Sequence, residues 1–135
     1  MMIKNLFKPK CLKSETCIKK RKKVSDAIYF TICEDSFDGV HTRIYIVDNK
    51  NKNIIGSCML SHNNEEISDL YILEEYRRQG YGYKLLKFCI ENYNSNFLMV
   101  YNDNIPAINL YLKLGFEKRF DNGITTGMSI KPIIW

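Results

Sequence analysis

A chain of 135 residues, 45% of them hydrophobic and carrying a net charge of +5, can bury roughly two thirds of the surface its unfolded form exposes, which fits one globular domain and excludes a second full one. No apolar run approaches the roughly 18 residues of a membrane span, and the N-terminus MMIKNLFKPKCLKSETC lacks a signal peptide's continuous apolar stretch, so a cytoplasmic type of compartment and no membrane partner are expected. Cys11, Cys17, Cys33, Cys58 and Cys89 are odd in number and never fall in C-x-x-C spacing, so they read as reduced thiols, and neither His41 nor His62 has a second ligand at helical or finger spacing, so no metal is expected.

The charge is unevenly spread. Residues 1–23 hold nine Lys or Arg and one acid, or +8, which leaves 11 basic against 14 acidic residues, or −3, from Val24 onward. The expectation is a basic arm, 1–23, attached to a mildly acidic body, 24–135. KKRKK at 19–23 leaves nuclear targeting open, but no aromatic residues are interleaved to stack on bases, so a solvated run is expected and nucleic acid is not.

In chain order, AIYFTIC (27–33), TRIYIVD (42–48) and NIIGSCML (53–60) are β-branched and aromatic runs separated by turn-rich pieces, and predict an antiparallel meander. EISDLYIL (66–73) predicts a fourth strand. After Gly82, Leu85, Leu86, Cys89 and Ile90 recur at helical spacing, and NFLMVY (96–101) is again a strand. Strand, helix, strand predicts parallel fourth and fifth strands joined by a right-handed crossover. Asn104 stands at an N-cap position, Pro106 in a first turn, and Ala107, Ile108, Leu110, Tyr111 and Leu114 form an apolar stripe that Gly115 ends. FEKRF (116–120) and ITTGMSI (124–130), joined across DNG, predict a closing hairpin. The fold class is α+β with a mixed, mostly antiparallel central sheet and flanking helices.

The stretch EEYRRQGYGYKLLKF (74–88) sets two arginines and two glycines in front of a helix. A glycine-rich turn at a helix N-terminus lets backbone N–H groups face outward together, which suits an anion, and glycine lets phosphate approach the main chain. A dinucleotide fingerprint needs a third glycine where Leu85 stands, and a P-loop needs Gly-Lys-Ser/Thr where Gly82-Tyr83-Lys84 stands, so neither fits. What remains is R-x-x-G-x-G, spelled by Arg77, Gly80 and Gly82. Together with N-x-x-A-x-x-x-Y-x-x-x-G-F, spelled by Asn104, Ala107, Tyr111, Gly115 and Phe116, it resembles the GNAT superfamily of acetyl-CoA-dependent N-acyltransferases. Met128 in TTGMSIKP is similar to the family's last strand, and the resemblance runs from about Thr42 to Lys131.

That resemblance implies acetyl-CoA as cosubstrate, a splayed fourth and fifth strand, and a set of roles. Main-chain N–H groups of Arg78, Gln79, Gly80, Tyr81, Gly82 and Tyr83 would bind the pyrophosphate, and the main chain of Leu70 and Ile72 would pair with pantetheine. Asn104 would meet the pantetheine arm, and Tyr111 would protonate the leaving thiolate. Glu66, fourteen residues before Gly80, occupies the position that the family's histone-modifying branch uses for its base. A base matters because a lysine-like amine of pKa near 10.4 costs roughly 4.6 kcal/mol to present neutral at pH 7. Glu65 and Asp69 compete for the role, and strand alternation sets Asp69 on the face opposite Glu66. The family usually inserts two helices between its first and second strands, whereas only about eight residues separate AIYFTIC from TRIYIVD here, so those helices are expected to be short or absent. The function implied is transfer of acetyl from acetyl-CoA to a primary amine, on a small molecule or a protein, by direct attack in a ternary complex; the alternative is a non-catalytic acetyl-CoA-binding regulatory or interaction module.

Overall fold

The computed structural model describes residues 17–23, 27–35, 41–61 and 63–132, with side chains described for these except 17–23 and Asp35. Eight strands form one sheet: β1 (Cys17–Lys23), β2 (Ile28–Asp35), β3 (Thr42–Asp48), β4 (Ile54–Ser61), β5 (Glu66–Ile72), β6 (Phe97–Tyr101), β7 (Glu117–Asp121) and β8 (Thr125–Ser129). Helix α1 (Tyr81–Tyr93) links β5 to β6, and α2 (Ile105–Lys113) links β6 to β7. The spatial order is β1-β2-β3-β4-β5-β6-β8-β7, and every neighbouring pair is antiparallel except β5 with β6. The expected parallel fourth and fifth strands are thus β5 and β6, because β1 precedes the meander.

The basic segment needs a correction. Its last seven residues are not an arm but the edge strand β1, paired in continuous register with β2 from Cys17↔Asp35 to Lys23↔Tyr29. CIKKRKK carries no apolar alternation to announce a strand. Pairing supplies it, since β2 offers its whole backbone edge, and lysine-rich strands are common at sheet edges, where they discourage further pairing. The remaining residues of the segment lie outside the described residues.

Alternation explains the core. Phe30 and Ile32 of β2, Ile44 and Ile46 of β3, Cys58 and Leu60 of β4, Leu98 and Val100 of β6, and Met128 of β8 all join one buried cluster with Leu85, Leu86 and Cys89 of α1 and Ile108 and Tyr111 of α2. Both helices therefore pack on the same face. The far face holds a smaller cluster of Cys33, Tyr45 and Val47. Six residues, 36–41, separate β2 from β3, too few for the two helices that the resemblance would place there. Asn104 caps α2 as expected, its Oδ1 accepting from the Ala107 N–H at 3.3 Å. Gly115 takes a φ of +97° just past the helix, a conformation that glycine reaches at little steric cost.

The cysteine expectation holds only in part. Cys58 and Cys89 are free and buried, their sulfurs 3.6 Å apart, but Cys33 is disulfide-bonded, with its partner outside the described side chains.

Candidate functional site

The site grows from an interruption in the sheet. β5 and β6 pair only at Glu66↔Phe97 and Ile67↔Leu98, and beyond these two rungs no described strand faces β5 on that side. The Leu73 N–H turns toward β4 and donates to the Ile55 carbonyl at 2.8 Å, so the N–H and C=O of the preceding residue, Ile72, face the gap. Gap-facing backbone is costly to leave without partners, at about 1–3 kcal/mol per buried group. One such group is already engaged: Arg77 Nε donates to the Ile72 carbonyl at 2.8 Å, while its guanidinium lies 5.1 Å from the Tyr71 ring centre.

A bulge marks the same place. Met59 pairs with Ser68 and Ser57 with Tyr71, so Asp69 and Leu70 together oppose Cys58 alone, and Asp69 adopts a φ of +51°. Simple alternation therefore stops at the bulge, so counting from Glu66 does not by itself fix the face of Asp69. The Ser68 hydroxyl, beside the bulge, is buried and makes no hydrogen bond among the described residues.

The glycine loop closes one end of the gap. Arg78 and Gly80 are left-handed, at φ +62° and +83°, and Gly80 is the N-cap of α1 with no side-chain cap bond. The first helical bond is from the Lys84 N–H to the Gly80 carbonyl at 3.1 Å, so the N–H groups of Tyr81, Gly82 and Tyr83 stand at an uncapped helix start. Left-handed residues just before such a start make a concave row of N–H groups that holds an anion, and the exposed side chains of Arg77, Arg78, Lys84 and Lys87 surround it with positive charge. Gln79 donates to the Glu75 carbonyl at 3.2 Å, which ties the loop to the preceding turn. Gly82 serves packing as well: a Cβ there would lie 3.3 Å from Leu110 Cδ2, so its bareness lets α1 approach α2.

Tyr111 reaches the site from α2. Its ring is buried, 6.0 Å from that of Phe116. Burial pushes its phenol up to about 12, and the nearby Cys58 adds to the rise. Cys58, in turn, sits opposite the bulge in β5. Cys58 itself is held protonated, raised well above the ordinary thiol range by its bond with Cys89 and by burial. It is no nucleophile. Glu66 is half-buried at the start of β5, on the last rungs before the gap. Asn104 spends its Oδ1 on the α2 cap.

The chain thus combines an uncapped, glycine-lined helix start, an opening between β5 and β6 and a buried phenol on α2. The description "Acetyltransferase (GNAT) family" matches residues 11–116. The chain belongs to that family.

Within the GNAT family the chain is 43% identical over 58 residues to an N-alpha-acetyltransferase of Sulfurisphaera tokodaii, a match covering 38% of this chain and about a third, 35%, of that relative. Among solved structures it is similar to the ribosomal-protein-S18-alanine N-acetyltransferase from Escherichia coli, with a TM-score of 0.58, 20% identity, and 67% and 68% of the two chains covered. It is similar also to spermidine N-acetyltransferase from Vibrio cholerae, with a TM-score of 0.55, 24% identity, and 68% and 65% covered. At these identities the likeness to solved structures speaks for the fold alone. Among the described residues no helix is long and apolar enough to cross a membrane, and no group of His, Cys, Asp and Glu could hold a metal ion.

The sequence pointed to the loop, to the seam between its fourth and fifth strands and to Tyr111. It missed the Cys58–Cys89 pair beneath the phenol, which are 31 residues apart and meet only because α1 packs on β4. It missed the bulge too, which no residue in EISDLYIL announces. A cavity of about 450 Å³ beside β7 includes Asn102, Asp121 and Thr126, but those polar groups already bond one another, Asn102 Nδ2 to Asp121 Oδ1 at 2.9 Å and Thr126 Oγ1 to Asn102 Oδ1 at 2.5 Å.

Proposed function

We propose that this protein transfers the acetyl group of acetyl-CoA to a primary amine by direct attack, and that the amine is the α-amine of a polypeptide. The observation that carries the reading is the two-rung seam between β5 and β6, which leaves strand backbone facing a gap that ends at an uncapped helix start. The pantetheine amides suit the edge offered by Leu70 and Ile72, and the pyrophosphate suits the N–H groups from Arg78 to Tyr83. Acetyl-CoA supplies an activated acyl carbon and a sulfur leaving group.

The chain's own residues then have limited work. The amine must lose a proton before its lone pair can form the new C–N bond. An α-amine, with a pKa near 8, presents the neutral form at pH 7 for about 1.4 kcal/mol, against roughly 4.6 for a lysine. A partly exposed carboxylate such as Glu66 suffices as acceptor for that proton, directly or through water. As the C–S bond breaks, the sulfur takes up charge and then a proton. Tyr111, with its phenol near 12, stays protonated at working pH and donates a hydrogen bond to the sulfur. A thiol of pKa near 8.5 is a stronger acid than this phenol, so the phenol stabilises the departing thiolate through its hydrogen bond while keeping its own proton, and the thiolate is protonated from solvent. The neutral Cys58 thiol is consistent with attack without an acyl-enzyme. The relative's name, N-alpha-acetyltransferase, supports an α-amine over a side-chain amine.

Native mass spectrometry of the full chain with acetyl-CoA, followed by peptide acetylation with site mapping, tests this. The expected result is one bound acetyl-CoA and modification at the peptide N-terminus. Binding with acetylation confined to lysine side chains would overturn the acceptor assignment, and absence of binding would overturn the whole reading.

A further inference from the structure

Strand β6 reads FLMVY, apolar on both faces. Leu98 and Val100 enter the core under the helices, so Phe97, Met99 and Tyr101 turn to the far face. There they meet β8 and β7. Met99 pairs with Gly127, which pairs in turn with Phe120. A Cβ on Gly127 would collide with the Phe120 ring, so the bare glycine lets that ring fold down over β8. It stacks against Phe97, with centres 6.2 Å apart and planes 26° from parallel. Three strands thus pool one apolar strip, and it is open: Met99 is 38% exposed, Tyr101 64% and Phe120 37%.

The strip has a charged end. Phe97 is the rung partner of Glu66, and rung partners project to the same face, so the carboxylate stands beside the aromatic pair where the sheet begins to open. A carboxylate flanked by an apolar surface fits a cation flanked by an apolar group. We infer that this face reads the side chain adjacent to the acceptor amine and selects a large apolar one, so that the preferred acceptor is a polypeptide whose first residue is methionine, leucine or phenylalanine. The inference rests on the α-amine reading above. Continuity of the strip with the gap, and the charge at its near end, argue for this occupant over another copy of the chain, which would gain nothing from a carboxylate at one end.

The test uses the full chain, acetyl-CoA and peptides identical except for a first residue of Met, Leu, Phe, Ser or Glu, with kcat/KM followed by thiol release. The apolar-first peptides are expected to exceed the Ser- and Glu-first ones by about tenfold or more, the scale on which an apolar pocket discriminates. In Met99→Ser/Tyr101→Ser, whose replaced side chains are solvent-facing, that ratio should fall toward parity while circular dichroism stays that of the parent. Gly127→Ala, which lifts the Phe120 ring, should move the ratio the same way, and Met99→Ser alone serves if either fails to fold. Equal rates for all peptides, or a preference unchanged in the variants, overturn the strip and leave the α-amine reading standing. Acetylation of none of the peptides overturns both. A solution mass of two chains that returns to one in Met99→Asp would show that a second copy covers the strip, which also overturns the proposal.

Discussion

Replacing Tyr111 by phenylalanine removes one oxygen and separates two roles by two readouts. The ring and its contact with Phe116, 6.0 Å away, remain, so stability near neutral pH should change by no more than about 1 kcal/mol. At high pH the two proteins should part. The phenol titrates near 12 in the folded protein against an ordinary 10.0. Between those values the native state holds a proton that the unfolded state has lost, so stability falls as pH rises, and below pH 10 this group adds no slope. The full two units correspond to about 3 kcal/mol and are reached only above about pH 12, so at about pH 11.5 the loss is about 2 kcal/mol, a loss that Tyr111→Phe escapes. Urea unfolding of both proteins at about pH 8 and about pH 11.5 measures the difference, since every other titrating group is common to them. Turnover is the second readout. If the phenol assists departure of the thiolate, kcat should drop roughly a hundredfold or more, with acetyl-CoA affinity little changed. Turnover within a factor of a few of the parent would return Tyr111 to the core, and an unchanged alkaline stability difference would refute its buried titration.

Glu66→Gln should bind acetyl-CoA normally, lose turnover near neutral pH and recover as pH rises toward the amine's own pKa; a pH–rate profile superimposable on the parent's would remove Glu66 from proton transfer and send the question to Asp69→Asn. Gly80→Val forces a branched side chain into φ +83°, where nothing lies within 4 Å to confuse the result, so acetyl-CoA binding measured by calorimetry should weaken sharply with the fold kept. Gly82→Val is the less clean probe because it also presses on Leu110, and it should lose stability as well. Deleting residues 1–23 removes β1 and bares the edge of β2, so the truncated protein should be less stable and more prone to associate; equal thermal stability would show that β1 contributes nothing.

How far the sequence alone reached can be read from particular residues. The run TRIYIVD became β3 without change of bounds, since β-branched residues between turn formers leave few alternatives. Asn104, Pro106 and Gly115 delimited α2 because each acts locally, Asn104 through its side-chain oxygen and the other two through their backbone geometry. The glycine loop was legible for the same reason, its chemistry being main-chain. CIKKRKK was not legible as a strand, because its structure is imposed by β2. Nor was the bulge at Asp69 or the environment of the Tyr111 phenol, each of which depends on residues brought together from distant parts of the chain. The apolar strip left a faint sign, apolar residues on both faces of FLMVY, with no helix among the described residues packed on its far face.

The seam between β5 and β6 has a mechanical consequence. Only two rungs join β1–β5 to β6–β8–β7, so the molecule is two half-sheets held in register chiefly by side chains beneath them, Leu85, Leu98 and Met128 among them. A ladder of hydrogen bonds resists shear in steps, whereas a packed interior yields by sliding, and the two halves therefore have a line along which to move against each other. Whatever extended chain lies in the opening becomes the missing rungs. Its arrival would stiffen that line, and its departure would restore the slack.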